Sequence, residues 1–111
     1  MTDYLIYFNQ QWVGEPTAAE LLERGKLAEA VVDDMRAAGI YLLAGGLLEE
    51  GVFSVEHAHG ALRFREGRHV QTPQWLGGFA AIRVADEQAA RAWAGRLAEA
   101  CGWPQEVRRF V

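Results

Sequence analysis

Apolar residues fall along this chain in two kinds of run. Tyr4–Phe8 is a short aromatic and aliphatic block and reads as a first strand. A polar connection, Gln10–Glu15, leads to Pro16. Beyond it, Leu21, Leu27, Val31, Met35 and Ala38 recur at spacings built from three and four, which keeps them on one helix face. Thr17 and Glu20 have the spacing of a capping box, a hydroxyl at the cap and a carboxylate three residues on. The predicted helix runs to about Ala38. Gly25 weakens it by about 1 kcal/mol relative to Ala, and Gly39 stops it where a left-handed residue carries no Cβ penalty.

Ile40–Leu48 reads as a second strand, interrupted by Ala44-Gly45-Gly46. Paired glycines inside a strand predict a bulge, or a close approach by backbone or ligand. Glu49–Gly60 is read either as a short strand over Phe53–Glu56 or as a mobile loop. Ala61–Arg65 and His69–Gln71 flank Glu66-Gly67-Arg68, a loop of the length that joins a hairpin. Gly78–Val84 is the next strand. Asp86 is a good helix cap, and Ala90, Trp93, Ala94, Leu97 and Cys101 give a second amphipathic helix that Gly102 and Pro104 end. Glu106–Val111 closes the chain as a last strand.

The predicted order is β-α-β-(β)β-β-α-β. Its β-α-β-β-α-β skeleton is that of an α+β, ferredoxin-like plait, an antiparallel sheet with both helices on one face. The opposite face of such a sheet is normally polar in a monomer. Here Tyr4-Leu5-Ile6-Tyr7-Phe8, Ile40-Tyr41-Leu42-Leu43 and Phe79-Ala80-Ala81-Ile82 lack polar alternation, so each strand is expected to bury both faces. A homodimer packed through the sheet face would cover the patch. The alternative cover is the segment around Phe53 or the C-terminus, folded over the sheet.

Composition narrows the classes without naming one. The chain of 111 residues has the size of one domain, and half its residues are hydrophobic, enough for a core. Eleven Lys+Arg against fifteen Asp+Glu give a net charge of −4, spread along the chain, so no nucleic acid partner is expected. The N-terminal MTDYLIYF has neither a basic n-region nor a cleavable apolar run, and no segment approaches the roughly 20 apolar residues of a membrane span. The expectation is a cytoplasmic protein with no membrane partner. Cys101, the single cysteine, rules out an intrachain disulfide and reads as a small apolar residue.

Histidines are the leading candidates for chemistry. His57 and His59 stand two apart, so on a strand they share a face and as a pair could bind a metal or shuttle a proton. A third metal ligand is lacking, and no metal site is assigned. His69 faces Arg63 or Arg65 across the predicted hairpin and is the next candidate base. Arg63, flanked by Leu62 and Phe64, could clamp a carboxylate or phenolate. Trp75 could line a pocket for an apolar or aromatic ligand, alongside Gly45, Gly46 and Gln71. The adjacent carboxylates Asp33-Asp34 diverge by about 100° around a helix and form no dyad. Phosphate-binding glycine loops, zinc-type cysteine sets and serine nucleophile motifs are absent, and no cofactor is expected.

One run of motifs has a familiar order: Met35-Arg36-Ala37-Ala38-Gly39, Leu42-Leu43-Ala44-Gly45-Gly46-Leu47, Leu62-Arg63-Phe64-Arg65-Glu66-Gly67, then Leu76-Gly77-Gly78-Phe79 and the Ala-rich second helix. Taken together with Tyr4–Phe8, the chain resembles the YCII-related (DGPF) family over nearly its whole length, as a single domain. The resemblance implies a dimeric α/β barrel assembly and small-molecule chemistry without a cofactor. It also implies a catalytic histidine early in the first helix region and an aspartate in Asp-Gly-Pro-Phe. This chain has no histidine in 10–34, and it reads Gln71-Thr72-Pro73-Gln74 at the motif. Gln and Thr exchange no proton near neutral pH. The expectation is therefore a dimer that binds a small organic molecule. The alternatives are an isomerase- or lyase-type enzyme using His57, His59 or His69, and an accessory protein of a sigma-factor system, a setting in which one branch of the family occurs.

Overall fold

The computed structural model describes all 111 residues, Met1–Val111. The fold is α+β, with six strands and two helices: β1 (Thr2–Asn9), α1 (Ala18–Ala37), β2 (Tyr41–Gly46), β3 (Phe53–Ala58), β4 (Ala61–Glu66), β5 (Leu76–Val84), α2 (Glu87–Cys101) and β6 (Glu106–Arg109). A single 3-10 turn over Gln10–Val13 follows β1. Four strands form one sheet in the order β2-β5-β1-β6, with every neighbouring pair antiparallel. The remaining two, β3 and β4, form a separate antiparallel hairpin.

Each helix is fixed at its ends by the residues the sequence singles out. The Thr17 hydroxyl accepts the Glu20 N–H at 3.1 Å, and the Glu20 carboxylate accepts the Thr17 N–H at 3.3 Å, closing the capping box. That backbone bond also holds the Glu20 carboxyl below its ordinary pKa. Asp86 caps α2 by accepting the Ala89 N–H at 2.9 Å. Gly39 and Gly102 follow the two helices at φ of 73° and 80°, a left-handed backbone that favours glycine.

The core lies between the helices and one face of the sheet. Tyr4 and Ile6 of β1 and Ala80, Ile82 and Val84 of β5 meet Val31 and Met35 of α1 and Ala90, Ala94 and Leu97 of α2. Strand alternation turns Leu5, Tyr7, Phe79 and Ala81 to the other face, where all four are half-buried, and Leu43 beside them is 57% exposed. Neither segment expected to fold over that face does so. The β3–β4 hairpin makes no extended contact with the sheet or the helices, and β6 joins the sheet as an edge strand beside β1. The radius of gyration is 16.1 Å, against about 13 Å for a compact chain of this length.

Several element boundaries differ from the sequence reading. The hairpin partner of β4 is Phe53–Ala58, whereas His69–Gln71 form no strand. The two hairpin strands are joined by His59-Gly60 alone, at φ of 52° and 77°. A two-residue turn with both φ positive is the I′ pattern, whose twist matches that of the flanking strands. The irregularity in β2 falls between Tyr41 and Leu43, ahead of Gly45-Gly46. Along α1, Leu21 and Leu27 remain about half exposed at 46% each and Ala38 is exposed, so of the expected stripe only Val31 and Met35 are buried.

Candidate functional site

Half of the predicted site residues gather in two places, while His57, His59, Gln71 and Trp75 lie in neither. His69, Arg63 and Arg65 come together on the polar side of the hairpin, around a cavity of about 370 Å³ that Ser54 and Glu56 also line. Arg65 donates to the His69 carbonyl at 2.8 Å, and its Nη2 lies 3.3 Å from His69 Nδ1. Glu56 stands 3.8 Å from the same ring nitrogen. Arg63 pairs with Glu56 across the strands. Glu56, Arg63, Arg65 and His69 are all exposed, and the cavity has few apolar walls.

His57 and His59 do not join this cluster. His57 faces Leu62 on the opposite side of the hairpin, and His59 is the first residue of its turn, where its left-handed backbone has a structural use. The two therefore share no strand face. Gln71 is exposed in the connection after the hairpin. Trp75 is half-buried and tied to the 3-10 turn: its N–H donates to the Gln11 side chain at 3.0 Å, its carbonyl accepts the Gln10 N–H at 2.8 Å, and Arg68 lies over its ring at 4.4 Å. No group of three or more His, Cys, Asp or Glu side chains is placed to hold a metal ion.

Gly45 and Gly46 belong to the second place, a cleft of about 420 Å³ between α1 and the sheet. Its floor is Phe8, Ala44, Gly45, Gly46 and Ala80. One wall is the cleft-facing side of α1, from Gly25 and Ala28 to Val32, with Glu29 and Arg36 beside them. The end is closed by Leu97 and Cys101 of α2 and by Trp103 and Gln105, which lie between α2 and β6. Gly25 and Ala28 leave room here that larger side chains on the same face would fill.

Local packing explains how this floor is set. A Cβ on Gly77 would fall 2.7 Å from the Phe8 ring and 2.9 Å from the Gln10 side chain. One on Gly78 would fall 2.9 Å from the same ring and 3.0 Å from the Gly45 carbonyl. The two glycines thus let Phe8 lie against β5, where its ring meets Trp103 at a centroid distance of 5.4 Å and a tilt of 55°. Arg24 of α1 reaches over the Trp103 ring at 5.6 Å.

The cleft is lined mainly by apolar groups, with Glu29, Arg36 and Gln105 among its polar side chains. Two side-chain nitrogens at its end, Trp103 Nε1 and Gln105 Nε2, are buried with no hydrogen-bond partner. Burial pushes the Cys101 thiol above its ordinary pKa against a smaller opposing pull from Arg24, which disfavours the thiolate a nucleophile needs. Arg36 is held charged by its hydrogen bond to the Tyr41 hydroxyl and by Asp33, and it lies 4.5 Å over the Tyr41 ring. No histidine lines the cleft. Sequence reasoning found Gly45 and Gly46 through their unusual place in a strand. It passed over Phe8, Trp103 and Gln105, because only the packing of two distant segments brings them together.

Searches against family models and against curated proteins matched neither a family nor a protein.

Proposed function

We propose that this protein is a small-molecule-binding subunit that works as a homodimer, with the cleft between α1 and the sheet as its binding site. The observation that carries this reading is the cleft itself. It is concave and mainly apolar with a few polar side chains, Glu29, Arg36 and Gln105, the usual make-up of a small-molecule site. The sheet order β2-β5-β1-β6, with both helices on one face, supports a ferredoxin-like plait into which the β3–β4 hairpin is inserted. With it, the order of motifs supports kinship with the YCII-related domains.

The dimer reading rests on uncovered apolar surface. On one face of the hairpin, Phe53, Val55, Leu62 and Phe64 are more than half exposed, and the open sheet face adds Leu43. A second copy set sheet to sheet would cover this surface, as an antiparallel sheet with two apolar faces requires. The proton-transfer alternative has the Glu56–His69–Arg65 cluster behind it. That cluster is open to water and lacks the apolar walls that would exclude solvent from a reacting group, so binding is the favoured function.

A fragment screen by ligand-observed NMR, run on the protein and on Ala28→Phe, tests the site. The extra ring fills the cleft from α1, and the hits are expected to vanish while the circular dichroism stays unchanged. Hits that bind Ala28→Phe equally well would remove the cleft as the site. Light scattering at micromolar concentration is expected to give twice the subunit mass, and a monomeric mass would sink the dimer.

A further inference from the structure

Two rows of side chains on this chain match in length and in order. On the open sheet face, the strand registers set Arg108 of β6 beside Leu5 of β1, Leu5 beside Ala81 of β5, and Ala81 beside Leu43 of β2. The row crosses all four strands, with a cation at one edge and a leucine at the other. Three strand spacings make it about 14 Å long. On the bare face of the hairpin, β4 presents Glu66, Phe64 and Leu62, and β3 lines the same face with Phe53, Val55 and His57. Four residues of strand, from Glu66 to Leu62, also span about 14 Å. Here an anion stands at one end and the rest of the row is apolar. Neither charge is paired within the subunit. Glu106 is bonded to the Tyr7 hydroxyl and Asp3 to Arg83, whereas Arg108 and Glu66 take part in no ion pair. The hairpin makes no extended contact with its own sheet, so the row it fits is that of a second copy. Phe53 and Phe64, two-thirds exposed, offer roughly 250 Å² per subunit, about a third of what a stable interface takes from each partner. Reciprocal exchange adds, on the same subunit, the sheet row that receives the other arm.

We infer that the homodimer is clasped by an exchange of hairpins. Each β3–β4 hairpin lies across the open sheet face of the other subunit, with Glu66 on Arg108 of the partner subunit and Leu62 on Leu43 of the partner subunit. Phe64 then rests over the partner's Leu5 and the partner's Ala81. The arm crosses the strands near a right angle, one of the two ways in which sheets pack. This inference rests on the homodimer reading and adds how the two copies engage.

The test is sedimentation across a concentration series on the protein, on Glu66→Arg, on Arg108→Glu and on an equimolar mixture of the two variants. Either variant alone sets like charges against each other at both arms and is expected to self-associate about tenfold more weakly. In the mixture, each heterodimer joins one native pair and one pair with its charges exchanged. Association there is expected to return to within about threefold of the native value. Rescue by mixing cannot come from a contact inside one subunit. Both positions are exposed, and circular dichroism checks that the variants fold. A dimer that neither variant weakens overturns the exchange of hairpins while the homodimer stands. Weakening without rescue in the mixture overturns the pairing of Glu66 with Arg108 of the partner subunit. If the protein itself is a monomer, the homodimer reading and this inference fall together.

Discussion

Phe8, Gly77 and Gly78 show how single residues set the site. The ring needs the space that a Cβ at either glycine would take, 2.7 Å and 2.9 Å from ring carbons. At Gly78 the clash includes the Gly45 carbonyl at 3.0 Å, which is backbone and cannot swing aside. Gly78→Ala is therefore expected to lower stability by about 1–3 kcal/mol, the cost of overpacking a fitted interior. It should also move Phe8 away from Trp103. A urea unfolding curve with an unshifted midpoint would contradict this. The sequence places a strand over Gly78–Val84, two residues short of its observed start at Leu76. Its use as a bed for Phe8 was not legible, because the two segments lie about seventy positions apart and only the β1–β5 register brings Phe8 opposite Gly78. His59 gives the converse case. It reads as half of a histidine pair, yet the backbone assigns it to a tight turn.

Elements were legible where local chemistry fixes them. The capping box at Thr17, the Asp86 cap and the glycine stops all depend on neighbours within four residues, and each stands where the sequence places it. Thr17→Ala is expected to cost about 1 kcal/mol and to raise amide exchange through residues 18–22, with α2 unaffected. Uniform exchange across both helices would mean that the cap does not act locally. The same reasoning fails for the hairpin. Phe53–Ala58 and Ala61–Glu66 alternate in period two around His59-Gly60, a turn of two residues with positive φ. The commoner Asn-Gly or Asp-Gly signal is missing, so the longer glycine loop at Glu66-Gly67-Arg68 draws the prediction instead. Arg65 does reach His69 across that loop, but through side-chain bonds and not through a strand ladder.

At the scale of the whole molecule, the balance between covered and bare apolar surface dominates. The core occupies one side of the sheet, while the far side and the hairpin remain open. Phe53 and Phe64, 67% and 68% exposed, add nothing to the core of a single subunit. Replacing both by Ser should leave the unfolding free energy of the isolated subunit within about 0.5 kcal/mol and weaken self-association, read by sedimentation across a concentration series. An unchanged association constant would show that the hairpin lies outside the proposed interface. The extended shape, 46 × 38 × 20 Å, follows from the same projection of the hairpin.

By itself the sequence determined the α+β class, both helices with their caps, and the lack of polar alternation in the central strands. These follow from short-range periodicity and capping chemistry, which need no knowledge of distant neighbours. The tertiary structure alone decided that β3 pairs with β4, that His57, His59 and His69 stay apart from Gly45 and Gly46, and that Phe8, Trp103 and Gln105 meet in one cleft. The last two outcomes depend on strand register and on how α1 settles over the sheet, which no local pattern encodes.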